Sequence, residues 1–214
     1  MKITASNLIR CTGLAAMAAG ILFIVIQVIH PPEQLASVTA GAWAITHYLT
    51  AAMSLLSLVG ISGIYGRQVN QAGWLGLAGF LLFSLFWLAS FAFTFVEAFL
   101  LPILASDVPN FVEGYLGIFS GKASEANLGM LPAIAPIGGI LYILGGLLLG
   151  IATVRAGVLP RWAGVLLAFG AAVTLSGSLI PHPLDRMLAV PMGAALCWLG
   201  YALWSERRSQ KAAN

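Results

Sequence analysis

WLGLAGFLLFSLFWLASFAFTFVEAFLL, residues 74–101, carries one ionisable side chain, Glu97, in an otherwise apolar run. A helix needs about 20 mostly apolar residues to cross a hydrocarbon core roughly 30 Å thick. This segment exceeds that length without any period-two alternation, so it reads as a transmembrane helix and not as a barrel strand. Five further stretches satisfy the same condition: 8–29, 43–65, 133–154, 162–180 and 187–204. Together they predict an all-α, six-transmembrane-helix bundle, one domain over residues 1–214. The breaks are chemically ordinary. His30-Pro31-Pro32 ends the first span, Arg67 to Gln71 separates the second from the third, and Pro160-Arg161 divides the fourth from the fifth. Pro181, Pro183 and Asp185 turn the chain into the sixth.

Composition agrees with this reading. The chain is 60% hydrophobic and 8% charged, with a mean hydropathy of +0.95. Soluble domains carry about 25% charged residues, so this chain cannot cover a water-facing surface. A net charge of +3, scattered along the sequence, gives no footprint for nucleic acid. The first apolar run is longer than the roughly 7–15 residues of a signal-peptide core, and an uncleaved first span is expected.

Lys and Arg are retained on the cytoplasmic side of membrane proteins. With the N-terminus inside, Lys2, Arg10, Arg67, Arg155, Arg161, Arg207, Arg208 and Lys211 fall in the cytoplasm, and only Lys122 and Arg186 fall outside. The expected topology therefore places both termini in the cytoplasm, in a multi-pass protein of the cell membrane. One substantial loop, 105–132, is then on the outer face. Val108, Phe111, Val112, Tyr115, Leu116 and Phe119 recur there at helical spacing. They predict a short amphipathic helix over 108–119, with Asp107 as its N-cap and Pro109 in its first turn.

The 24 glycines include Gly146-Leu147-Leu148-Leu149-Gly150 and the trio Gly73, Gly76 and Gly79. Small residues at such spacing let helix backbones approach closely. They are expected to pack helices together, within this chain or against a membrane-protein partner or second copy. Arg67 precedes Trp74 by seven residues, as Arg155 precedes Trp162, a faint internal echo of two cytoplasmic turns.

Ionisable groups at membrane depth are costly and mark functional sites. Counting at 1.5 Å per residue from the cytoplasmic turns brings His30, His47, Glu97 and His182 to one level within about 5 Å. That level is the outer hydrocarbon boundary. The candidate ligand or proton site is His47, Glu97 and His182, with His30, Tyr48, Glu113 and Asp185 around it. An imidazole and a carboxylate can hold a ligand or pass a proton. Facing lipid unpaired, each would cost several kcal/mol, so His47 and Glu97 are expected to converge. The two cysteines, Cys11 and Cys197, form no metal-ligand spacing, and HExxH, GxSxG and phosphate-loop motifs are absent. No metal or other cofactor is expected. The function expected from these residues is binding or processing of a small apolar or lipid-like ligand in an outer-leaflet cavity. A non-catalytic subunit of a larger membrane complex and a small-solute transporter are the alternatives.

Overall fold

A computed structural model describes residues 4–181 and 184–212. Among them there are helices and no strands. Helix α1 spans Ala5–Ile29, capped by the Thr4 hydroxyl, which accepts from Asn7 N at 3.2 Å. Helices α2, Gly41–Arg67, and α3, Val69–Phe95, form the next hairpin. Gly73, at φ 58°, breaks the first turn of α3, so its straight part begins at Trp74. Helix α4, Pro109–Leu116, lies in the long loop. Helix α5 spans Ile134–Ala156 and stops at Gly157, whose φ of 63° is the left-handed conformation favoured after a helix. Helices α6, Arg161–Ala172, and α7, Val190–Ala212, complete the chain.

Among the described residues, five helices are long and apolar enough to cross a membrane: Ala5–Ile29, Gly41–Arg67, Val69–Leu104, Leu131–Ala156 and Leu184–Ser205. The apolar helix Arg161–Gly177 is shorter. Its α-helical part gives way to a 3-10 stretch, Val173–Leu179. The cause is local. Thr174 Oγ1 donates to Ala171 O at 2.7 Å and Ser176 Oγ to Val173 O at 2.6 Å. Hydroxyls that bond the carbonyl three residues back compete with the α-helical ladder.

The large helices form a closed ring in which α1 packs on α2, α2 on α3, α3 on α5, α5 on α6, α6 on α7, and α7 back on α1. Glycines set the closest approaches. A β-carbon at Gly13 would fall 2.7 Å from Gly200 O, and one at Gly145 2.7 Å from Phe83 Cα. Gly150 abuts Ala168, Gly146 abuts Ala171 and Gly79 abuts Leu149, whereas Gly73 meets nothing within 4 Å. Arg10 Nε donates to Trp204 O at 3.2 Å, which brings the first turns of α1 beside the last turns of α7. Phe83, Trp87, Ile61, Ile64, Leu149, Leu167 and Met192 belong to one buried apolar cluster between these helices.

Helix α4 caps the opposite, loop-bearing end. Its Val112, Tyr115 and Leu116 pack on Val38, Trp43, Phe93 and Leu101, and Asn110 and Glu113 are exposed. The apolar stripe thus faces the bundle. Asp107 is not the cap: the N-cap is Val108, without a side-chain bond, and Asp107 accepts from Ser106 Oγ at 3.0 Å instead.

Candidate functional site

The loop end holds the ionisable pair His47 and Glu97. On α2, His47 is 1% exposed, and its Nδ1 meets Trp43 O, one helical turn back, at 2.8 Å. A carbonyl only accepts, so Nδ1 carries the hydrogen and donates. The Trp43 and His47 rings stack at 3.9 Å, which fixes the imidazole plane. Its Nε2 points to Glu97 Oε2 at 3.6 Å. That separation is longer than a hydrogen bond, and Nε2 has no hydrogen-bond partner.

Glu97 sits in a π-helical turn, Val96–Leu100. Pro102 explains what happens there. Leu101 N donates to Val96 O, five residues back. The next bond of that kind would run from residue 102 to Glu97 O, but proline has no N–H. Trp43 Nε1 donates to the freed Glu97 carbonyl at 2.9 Å. One tryptophan therefore holds the backbone of Glu97 and the ring of His47 together. Single π turns inside α-helices are frequent at functional sites.

Glu97 opens onto a cavity of about 590 Å³. Its mouth carries His30, Glu33, Glu97, Asp185 and Arg186, and its floor is formed by Phe23, Phe86, Tyr142 and Ile143. From Phe86 to Glu97, α3 rises about 16 Å. Phe86 and Tyr142 meet edge to face at 4.9 Å. The Tyr142 side chain is 7% exposed, and its hydroxyl has no hydrogen-bond partner. Ser90, on the wall, shares a bond with Ser54 at 3.1 Å. The opposite wall is α5 at Gly138 and Gly139, where a β-carbon would meet nothing within 4 Å, and the 3-10 stretch at Thr174 and Gly177. A second hollow of about 800 Å³ borders it on the side of the loops. Both hollows are bordered by Glu33, Leu116, Asp185 and Arg186. Arg186 Nη2 stands 3.4 Å from Glu33 Oε1 at this shared rim.

Of the residues expected from sequence, His47 and Glu97 converge. The His30 ring lies 5.3 Å from that of His47, and Asp185 lines the mouth. Glu113 borders only the outer hollow. Tyr48 does not join the site: it is 47% exposed and rests on Phe99 with ring centroids 5.2 Å apart. One residue along a helix from His47, it points about 100° away. His182 lies outside the described residues. Trp43 was not expected; its i, i+4 spacing to His47 was the available signal. Glu33, Arg186 and Tyr142 were also missed, and nothing local in the sequence marks them. Among the described residues no group of three or more His, Cys, Asp or Glu side chains is arranged to hold a metal ion.

Tyr115, on α4 above the site, donates to Phe93 O at 3.0 Å. Burial, and then the nearby Glu97 carboxyl, push its hydroxyl above the ordinary tyrosine range. It stays a donor at any physiological pH.

Comparison of the chain with protein-family models, with curated proteins and with solved structures returns no match.

Proposed function

We propose that this chain is a six-span membrane protein with cytoplasmic termini, whose cavity receives a lipid-like amphipathic molecule from the outer leaflet. The observation that carries the reading is the cavity's polarity gradient. Charged groups ring the mouth, and aromatic side chains form a floor about 16 Å deeper along α3. A lipid in the outer leaflet has the same order, with a polar head at the boundary and an apolar chain running to the midplane. The volume of about 590 Å³ falls within the roughly 300–1,000 Å³ of small-molecule sites.

The sixth span rests on arithmetic. The 12 residues of Arg161–Ala172 rise about 18 Å at 1.5 Å each. The 7 of Val173–Leu179 add about 14 Å at the 2.0 Å rise of a 3-10 helix. The sum, about 32 Å, matches a hydrocarbon core of roughly 30 Å. Orientation rests on eight of the ten Lys and Arg falling on one side.

Gly138 provides the test. It is buried, yet a β-carbon there meets open space, so Gly138→Leu fills the cavity without pushing on backbone. Wild type and variant are purified from membranes and examined by native mass spectrometry. The expected result is a retained small molecule on the wild type and its loss from the variant. Equal adducts on both, or bare protein in both, would contradict the reading.

A further inference from the structure

The cavity's chemistry selects the head of its ligand. The acceptor that lines the cavity is Glu97; His47 stands behind it and does not line the cavity. His47 donates through Nδ1 to Trp43 O, which leaves Nε2 as a lone-pair acceptor in the neutral ring. Glu97 Oε2, 3.6 Å away, is a second acceptor when ionised. At that distance neither donates to the other, and His47 Nε2 is buried without a hydrogen-bond partner. The cavity's only Lys or Arg among its described lining residues, Arg186, faces Glu33. An ionised carboxylate that lines a cavity without a Lys or Arg facing it favours a cationic donor from outside the chain.

We propose that the site takes a cationic, N–H-bearing head group, a long-chain amine, seated on the Glu97 carboxylate with its chain on the Phe86 and Tyr142 floor. The proposal rests on the amphipath-binding reading above and adds its charge selectivity. A primary ammonium offers three donors and a positive charge. It can bond the Glu97 carboxylate through more than one N–H and adds a favourable charge interaction. An alcohol offers one donor and no charge. A sulfate offers neither donor nor attraction, and it meets Glu33, Glu97 and Asp185 at the mouth.

The experiment measures binding of radiolabelled dodecylamine to the protein in lipid nanodiscs, with empty discs subtracted. Unlabelled dodecylamine, dodecanol and dodecyl sulfate compete. Dodecylamine should compete at least about tenfold better than dodecanol, the gain expected of a charge-assisted bond, and dodecyl sulfate should not compete. Glu97→Gln should weaken the amine about tenfold or more and change dodecanol by less than about twofold. Gly138→Leu should abolish both. Sulfate competing as well as the amine, or unchanged amine binding in E97Q, would overturn the charge selectivity. In that outcome dodecanol binding that is lost in Gly138→Leu would leave the amphipath cavity standing. No specific binding of any probe to the wild type would overturn both. Should E97Q fail to insert, the ranking of the three probes on the wild type decides alone.

Discussion

The two halves of α5 use the same residue for opposite purposes. From Gly145 onward, glycine is where helices touch: Gly145 meets Phe83, Gly146 meets Ala171, and Gly150 meets Ala168. Before it, Gly138 and Gly139 face nothing within 4 Å. One set closes the ring and the other lines a hollow. A glycine in a membrane helix therefore says that space is needed, and its neighbours decide whether another helix or a ligand takes that space.

The comparison breaks most visibly at Gly145 and Gly138, seven residues apart on one helix. Gly145→Val puts carbon 2.7 Å or less from Phe83 backbone, so α3 and α5 must separate. Overpacking of this kind costs about 1–3 kcal/mol, and the variant should show a lower melting temperature and poorer yield of folded protein. Gly138→Leu should melt with the wild type. Equal losses in both variants would erase the distinction between seam and cavity.

A smaller effect is expected at the cap. Tyr115, 1% exposed, ties α4 to α3 through Phe93 O. Tyr115→Phe keeps the ring stacked on Phe93 at 4.4 Å and deletes only the hydroxyl bond. The cost should be about 1 kcal/mol, measured as a shift of the unfolding midpoint in detergent. No shift would mean that α4 is held by its apolar face alone.

Much of this was legible in the residue order, for reasons of distance. The hydropathic runs set the helices, because hydrocarbon thickness leaves little freedom. The short connection Arg67 to Gln71 makes α2 and α3 an antiparallel hairpin, so His47 and Glu97 come level by counting back from it. The cavity was not legible. Its wall combines α1, α3, α5, the 3-10 stretch and the turn at Asp185 and Arg186, and no local pattern reports how such segments stand apart. The role of Trp43 was hidden too, since it depends on a π turn and on the missing N–H of Pro102. Interfacial spacing likewise could not tell that α4 would turn its apolar stripe onto the bundle.

The central claim is that the loop-end half is hollow and reachable while the other half is solid. Cysteine accessibility tests it directly, in a background with Cys11 and Cys197 replaced by alanine. Ser90 lines the cavity wall, and Ser57 is fully buried in the bundle. The water-soluble reagent methanethiosulfonate ethylammonium should modify Ser90→Cys rapidly, more slowly when Gly138→Leu is added, and should leave Ser57→Cys unmodified. Modification of Ser57→Cys as fast as Ser90→Cys, or protection of Ser90→Cys while Ser120→Cys on the loop surface reacts, would contradict the account.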